Sequence, residues 1–217
     1  SKKYVVYMYD SEGKVYDENK MKSDFPNCYK YLLENKNKLS GRGYFEKSNK
    51  NWYELWNQRR PTNFNKEKII TLDNSSGNNF AFDTNNFYGT TTVYGFSSKT
   101  EEIENKYLIA TLNSKLLEFY HKLNSVPQAN GFYRYQAIFI NSMPIKKIQK
   151  KLQKPFIDLV NDILLYKNQK KDSSLLEKEI DLMVYKLYGL TYDEVLLVEP
   201  EFSEHMSKEE YENLKVE

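Results

Sequence analysis

The sequence predicts an α+β fold: a mixed, mostly antiparallel sheet with packed helices, followed by an antiparallel helical hairpin. Three observations carry that expectation. In the first part of the chain, short runs rich in β-branched and aromatic residues lie between clusters of Asn, Ser and Gly. Further on, apolar residues recur at three- and four-residue spacing. Near Lys150–Pro155 charge and periodicity both change, which divides the 217 residues into a first region, 1–150, and a C-terminal helical region, 151–217.

Taken in order, Tyr4 to Tyr9 reads as a strand. Asp24, Phe25 and Pro26 mark a helix start, with Tyr31, Leu32 and Leu39 as its apolar positions to about Leu39. From Ser40 to Lys66 the chain is loop-like around one aromatic cluster, Trp52, Tyr53, Leu55 and Trp56. Strands are expected at Lys68–Leu72, Asn79–Phe82 and Tyr88–Phe96, separated by turns at Asp73–Gly77 and Thr84–Asn86. Ser98 with Glu101 reads as a capping box for a helix carrying Leu108, Leu112, Leu116, Phe119 and Leu123. After a loop around Pro127–Gly131, Phe132–Ile140 alternates as a strand. Tyr133, Tyr135 and Ala137 fall on one face of it, Arg134, Gln136 and Ile138 on the other. Phe156, Leu159, Val160, Ile163 and Leu164 form one helical stripe. Ser174 and Glu177 open a second helix, with Ile180, Met183, Val184 and Leu187, that Gly189 stops. The loop between the two is short, so they pair antiparallel. Thr191 with Glu194, and Ser207 with Glu210, open two shorter helices.

Hydrophobic residues at 40 % and aromatics at 15 % place the chain among globular proteins despite a mean hydropathy of −0.77. One cysteine, Cys28, excludes a disulfide framework and fits a reducing cytoplasm. No run of 18 apolar residues is present, so neither a membrane span nor a secretory signal is expected. A chain beginning at Ser1 is expected for a piece of something larger. The formal charge of +2 hides an asymmetry: 25 basic against 15 acidic residues through Pro155, then 7 against 15. A basic body suits a polyanion. Only four of the basic residues are Arg (Arg42, Arg59, Arg60 and Arg134), and all lie in that body.

The chemistry-bearing motifs of common enzymes are missing. His121 sits on an amphipathic helix and reads as structural, and His205 lies in the acidic tail. With one Cys and two distant His there is no recognisable metal cluster or Cys/His pair. The sequence contains no GxGxxG, no Walker A loop and no nucleophile elbow. It also lacks the Asn-Pro-Pro-Tyr/Phe segment with which adenine-N6 methyltransferases bind the flipped base. Four acidic-x-Lys triplets occur, at Glu12, Glu18, Glu34 and Glu104. Chance supplies about that many among so many Lys and acidic residues. The expectation is a non-catalytic chain with no cofactor of its own.

The loops of the basic body instead carry hydrogen-bonding side chains: Gln58, Arg59, Arg60, Asn63 and Asn65, then Asn74, Ser75, Asn78 and Asn79, then Asn85 and Asn86. Arg pairs with guanine O6/N7, and Asn or Gln with adenine N6/N7, through two parallel hydrogen bonds. Lys neutralises phosphates. The same Asn-rich loops are also what ordinary turns look like, because Asn tolerates left-handed backbone. With the charge split and the restricted Arg, nucleic-acid binding leads. The candidate contacts are Arg42, Gln58, Arg59, Arg60, Asn63, Asn74, Asn78, Asn79, Arg134 and Gln136.

A series of short motifs then makes a resemblance specific. In order these are Trp52-Tyr53-Glu54-Leu55, Arg60-Pro61, Lys68-Ile69-Ile70 and Val93-Tyr94-Gly95. They continue with Leu112-Asn113-Ser114, Phe119-Tyr120, Gly131-Phe132-Tyr133-Arg134 and Met143-Pro144-Ile145. The series resembles the TaqI-like C-terminal specificity domain, the target-recognition module of type IIG restriction–modification enzymes and related adenine-N6 DNA methyltransferases. Downstream, Glu179-Ile180-Asp181, Val184-Tyr185 and Leu187-Tyr188-Gly189-Leu190-Thr191 are similar to the helical segment that follows it, so the resemblance runs from about Phe25 to Leu197. It implies a double-stranded DNA partner and a methyltransferase domain in the same parent chain or complex, which flips an adenine. S-adenosylmethionine and Mg²⁺ are then expected of the parent enzyme. The resemblance favours Arg60 and Arg134 as DNA contacts and makes Trp52, Tyr53 and Tyr94 structural. The alternatives are a module whose Arg and Asn loops bind an acidic protein, and a nuclease with an irregular site.

Overall fold

The computed structural model describes residues 4–43 and 48–214. The chain forms two compact units, one of residues 1–66 and 85–88, the other of residues 67–84 and 89–217.

In the first unit, α1 (Glu18–Asp24), α2 (Pro26–Glu34) and α3 (Lys36–Ser40) precede a long irregular segment. The Asp17 carboxylate accepts from Lys20 N and caps α1, an element not expected from the sequence. The single helix expected to run from Pro26 to about Leu39 is broken at Asn35. Tyr4–Tyr9 is not a strand: only Tyr9 pairs, in an isolated bridge with Val15. The reason is local. Asp10 accepts from the backbone of Glu12 and Lys14 and closes a tight turn through Gly13 at φ 82°, but the returning chain becomes the N-cap of α1 at Asp17, so only Val15 and Tyr16 return alongside it. Tyr7 and Tyr9 serve instead as hydroxyl anchors, Tyr9 accepting from Leu55 N at 2.6 Å. Met8, Tyr9, Met21, Tyr29, Leu32 and Tyr53 make the core. Trp52 Nε1 donates to Glu18 at 3.2 Å, and the Tyr53 hydroxyl donates to Tyr16 O at 3.0 Å.

Among the described residues, both sheets lie in the second unit. β1 (Lys68–Leu72) lies between β3 (Ala81–Asp83) and β4 (Val93–Phe96), antiparallel to each. β2 (Asn74–Ser75) pairs antiparallel with β5 (Tyr133–Arg134). Part of the turn expected at Asp73–Gly77 is therefore strand, and the strand expected from Tyr88 starts at Val93. On β1, Lys68 lies opposite Asp83 and the two form a buried ion pair.

The expected capping box at Ser98 is absent. Ser98 Oγ donates to Thr100 O, and the helix begins seven residues later. It is also two helices, α4 (Asn105–Leu112) and α5 (Lys115–Asn124), because Ser114 interrupts the first and accepts from Leu117 N as N-cap of the second. Of the predicted strand Phe132–Ile140 only Tyr133–Arg134 pairs as strand, β5; Ala137–Ile140 is a short helix, α6. Gln136 O accepts from Phe139 N and Ile140 N, and an apolar run this short carries no periodicity that separates strand from helix.

α7 (Lys150–Asn168) and α8 (Ser174–Tyr188) form the expected antiparallel hairpin, closed by Lys167 against Glu177 at 2.9 Å. Ser173 rather than Ser174 occupies the N-cap position, and Gly189 at φ 75° ends α8 as predicted. Both later capping boxes are present, on α9 (Tyr192–Val198) and α10 (Lys208–Asn213). One core joins sheet and helices: Ile69, Phe80, Tyr107, Leu117 and Tyr135 pack with Phe156, Val160, Ile180 and Val184. It draws on residues from both sides of residue 150.

Candidate nucleic-acid interface

In the first unit, Arg59 and Arg60 occupy an exposed segment entering a 3-10 turn at Pro61–Asn63. What fixes this segment is Tyr7. Its hydroxyl accepts from Arg59 N at 2.9 Å and donates to Arg59 O, so both polar atoms of one residue's backbone are held. The Tyr7 ring belongs to an aromatic knot in which Phe64 stacks on Tyr88 at 4.3 Å. Gly13 lies against the Arg60 stem; a Cβ there would meet Arg60 Cγ at 3.3 Å. Among the described residues neither the Arg59 nor the Arg60 guanidinium has an ion-pair partner. The result is two cations on a braced backbone.

The other candidates of this unit differ in availability. Gln58 and Asn63 are exposed, and Gln58 Oε1 accepts from Lys50 at 3.3 Å. Arg42 is committed inward, donating to Leu39 O, Trp52 O and Glu54 O at 2.8–3.2 Å. Its guanidinium ties loop to helix.

In the second unit, the β2–β5 ribbon sets Asn74 directly opposite Arg134. Directly opposed residues of an antiparallel pair share a face, so Asn74 and Arg134 leave the ribbon on the same side. Arg134 Nη1 donates to Asp73 Oδ2 at 2.7 Å, and its side chain is one-third exposed. Asn74 is exposed and Gln136 half-buried. Beneath the ribbon, Tyr135 is fully buried and stacks on His121, ring centroids 4.1 Å apart. Burial holds the His121 imidazole below its ordinary pKa, which favours the neutral ring.

Asn78 turns away from solvent. Its Oδ1 accepts from the Tyr135 hydroxyl at 2.8 Å, its Nδ2 donates to Leu112 O, and its backbone N–H donates to Glu118 at 2.9 Å. The expectation of a readout side chain there meets a group committed to the fold. Asn79 is exposed at the rim of a cleft of about 510 Å³, whose lining includes Phe80, Lys115, Val160, Ile180 and Asp181. Asn86 and Asn130 take left-handed backbone, φ 58° and 61°, which is the turn role open to such residues.

Tyr7 and Asp73 carry no signal in the sequence that marks them as part of the site. Only their partners reveal them, and those lie 52 and 61 residues away. Among the described residues no group of three or more His, Cys, Asp or Glu is placed to hold a metal ion, and no helix is long and apolar enough to cross a membrane.

A family model described as the TaqI-like C-terminal specificity domain matches residues 18–145. The match ends with Met143-Pro144-Ile145, where Tyr188 donates to Pro144 O at 2.6 Å. A type II methyltransferase of Aneurinibacillus aneurinilyticus, M.BanIII, is 23 % identical over 175 residues, 77 % of this chain and 30 % of the relative. A type II methyltransferase of Methanocaldococcus jannaschii, M.MjaIV, is 26 % identical over 178 residues, 80 % of this chain and 59 % of the relative. The chain thus matches less than two thirds of the length of either relative.

Proposed function

Since the chain belongs to the TaqI-like C-terminal specificity domain family, we propose that it is the sequence-specific double-stranded DNA recognition module of a restriction–modification adenine-N6 methyltransferase, of the type IIG kind, and is itself non-catalytic. The observation that carries this reading is the opposed Asn74–Arg134 pair on the β2–β5 ribbon, the two side-chain types that read adenine and guanine by paired hydrogen bonds. Gln136, half-buried, and Asn79, exposed, are further candidates in the same unit. Arg59 and Arg60, with Gln58 and Asn63, supply a second set, in a unit whose sequence has 14 basic against 8 acidic residues. Lys side chains set the register on phosphates. In this reading the covalent step belongs to a methyltransferase domain of the parent chain or complex, which works in the cytoplasm. S-adenosylmethionine and Mg²⁺ act there, not on these residues.

Titration of a random-sequence duplex at 50 and 200 mM salt tests the class. Affinity that falls steeply with salt, and competition by one enriched sequence over its scrambled form, are the expected results. A flat salt response, with polyglutamate competing as well as DNA, overturns the reading in favour of an acidic protein partner.

A further inference from the structure

Asp73 lies between β1 and β2, and its backbone is fixed on both sides: its N–H donates to Thr92 O at 2.9 Å and its carbonyl accepts from Tyr135 N at 2.8 Å. Its carboxylate, 15 % exposed, takes Arg134 Nη1 on Oδ2 at 2.7 Å and the Tyr94 hydroxyl on Oδ1 at 3.3 Å. Arg134 is equally constrained along its backbone. Its N–H donates to Val126 O at 3.2 Å, and Ser125 Oγ donates to its carbonyl at 2.6 Å.

A guanidinium carries five N–H groups in a planar fork. The contact with Asp73 uses one, at Nη1, and among the described residues the Nε–Nη2 edge has no acceptor. An ion pair made only to stabilise the ribbon gains most when it is buried and bidentate. This one is single-pointed, and a third of the Arg134 side chain remains exposed. Fixing a long side chain in advance lowers the entropy lost when it binds, and one anchored nitrogen orients the remaining donors as a rigid pair.

We infer that Asp73 is a positioning residue for base discrimination: through Nη1 it holds Arg134 so that the Nε–Nη2 edge reads a guanine, beside the adenine-reading amide of Asn74. The inference rests on the DNA-recognition reading and adds the base class at one position and the residue that enforces it. Tyr94 acts one step further back, orienting the carboxylate.

The test is enrichment from a random-sequence duplex library by the full 217-residue chain, in wild-type form and as Arg134→Lys, Asp73→Asn and Tyr94→Phe. The wild-type protein enriches a motif containing one invariant G. Arg134→Lys loses preference at that position by roughly 5- to 150-fold. Asp73→Asn relaxes the same position about tenfold while binding to random duplex is retained. Tyr94→Phe relaxes it less, and serves in place of Asp73→Asn if that variant unfolds. A G preference that survives intact in Asp73→Asn, or in Tyr94→Phe where that stands in, overturns the positioning role while the DNA reading stands. Equal loss on all sequences makes the pair a structural ion pair and also overturns it. A wild-type protein that enriches nothing and binds duplex without salt dependence overturns the DNA reading, and the inference with it.

Discussion

Tyr135 and Asn78, 57 residues apart, are joined side chain to side chain: the phenol donates to Asn78 Oδ1 at 2.8 Å while Asn78 Nδ2 is given to Leu112 O. The Tyr135 ring also packs edge-on against Phe80 and lies flat on His121. The amide thus ties the loop after β2 to α4 and to the residue that follows β5.

Asn78→Ala leaves the Tyr135 hydroxyl and the Leu112 carbonyl without these partners. A buried polar group stranded in this way costs about 1–3 kcal/mol. The urea midpoint falls accordingly, while the ratio of specific to random duplex binding stays unchanged. A loss of discrimination at intact stability would return Asn78 to the readout set.

The contrast between Asn78 and Asn74 marks how far the sequence can be read. Both are Asn in one short polar stretch of sequence, and composition treats them alike. What separates them is strand register, which places Asn74 opposite Arg134, and a tyrosine 57 residues away. Long helices with strong periodicity are legible, as are the caps at Gly189, Thr191 and Ser207, because their signals are local. Tyr4–Tyr9 and Ala137–Ile140 are not: short apolar segments take strand, turn or helix according to what lies beside them. The motif Leu112-Asn113-Ser114 has a clear structural reason. Asn113 Oδ1 accepts from Phe80 N at 3.0 Å and Nδ2 donates to Phe80 O at 2.8 Å, completing the sheet edge, while Ser114 caps α5.

Lys68 and Asp83 are cross-strand partners with side chains 3 % and 0 % exposed. Removing one member leaves the other charge buried, so Asp83→Ala destabilises by about 3–5 kcal/mol. Replacing both with apolar residues of similar volume is far milder, since the desolvation of two charges no longer has to be offset. Chemical unfolding of the two variants decides it, and equal losses would show that the pair's neighbours matter more than its charges.

Stability depends on pH through two buried groups with opposite sign. Burial pushes the Asp181 carboxyl up to about 7, although Lys115 N donates to it at 2.8 Å and the Lys115 charge also favours ionisation; Glu199 and Glu177 add to the rise. The folded protein therefore holds a proton that the unfolded chain releases near pH 4, and stability from this site is lost as pH rises to about 7. His121, depressed by burial and with Nε2 lacking a partner among the described residues, works the other way: its contribution is present above pH 6.5 and is lost on acidification. Urea midpoints at pH 5 and pH 7.5 test both. Asp181→Asn flattens the fall with rising pH, and His121→Phe steepens it. No change of slope in either variant would mean that these groups titrate as they do in the unfolded chain.

Arg59 and Arg60 give the sharpest separation between folding and binding. Their guanidinium groups are exposed and lack ion-pair partners among the described residues, while the Arg59 backbone is gripped by Tyr7. Truncating the side chains leaves the backbone bonds in place, so Arg59→Ala with Arg60→Ala shifts stability by no more than about 0.5 kcal/mol. If both groups contact phosphates, the log–log dependence of affinity on salt becomes shallower by about 2, with equal loss on specific and random duplex. If either reads a base, the loss concentrates on the preferred sequence and the slope changes less. Tyr7→Phe supplies the control: it keeps the ring in the aromatic knot but frees the Arg59 backbone from the hydroxyl. Binding then weakens without any cation being removed, provided that the braced loop, rather than charge alone, presents the two arginines.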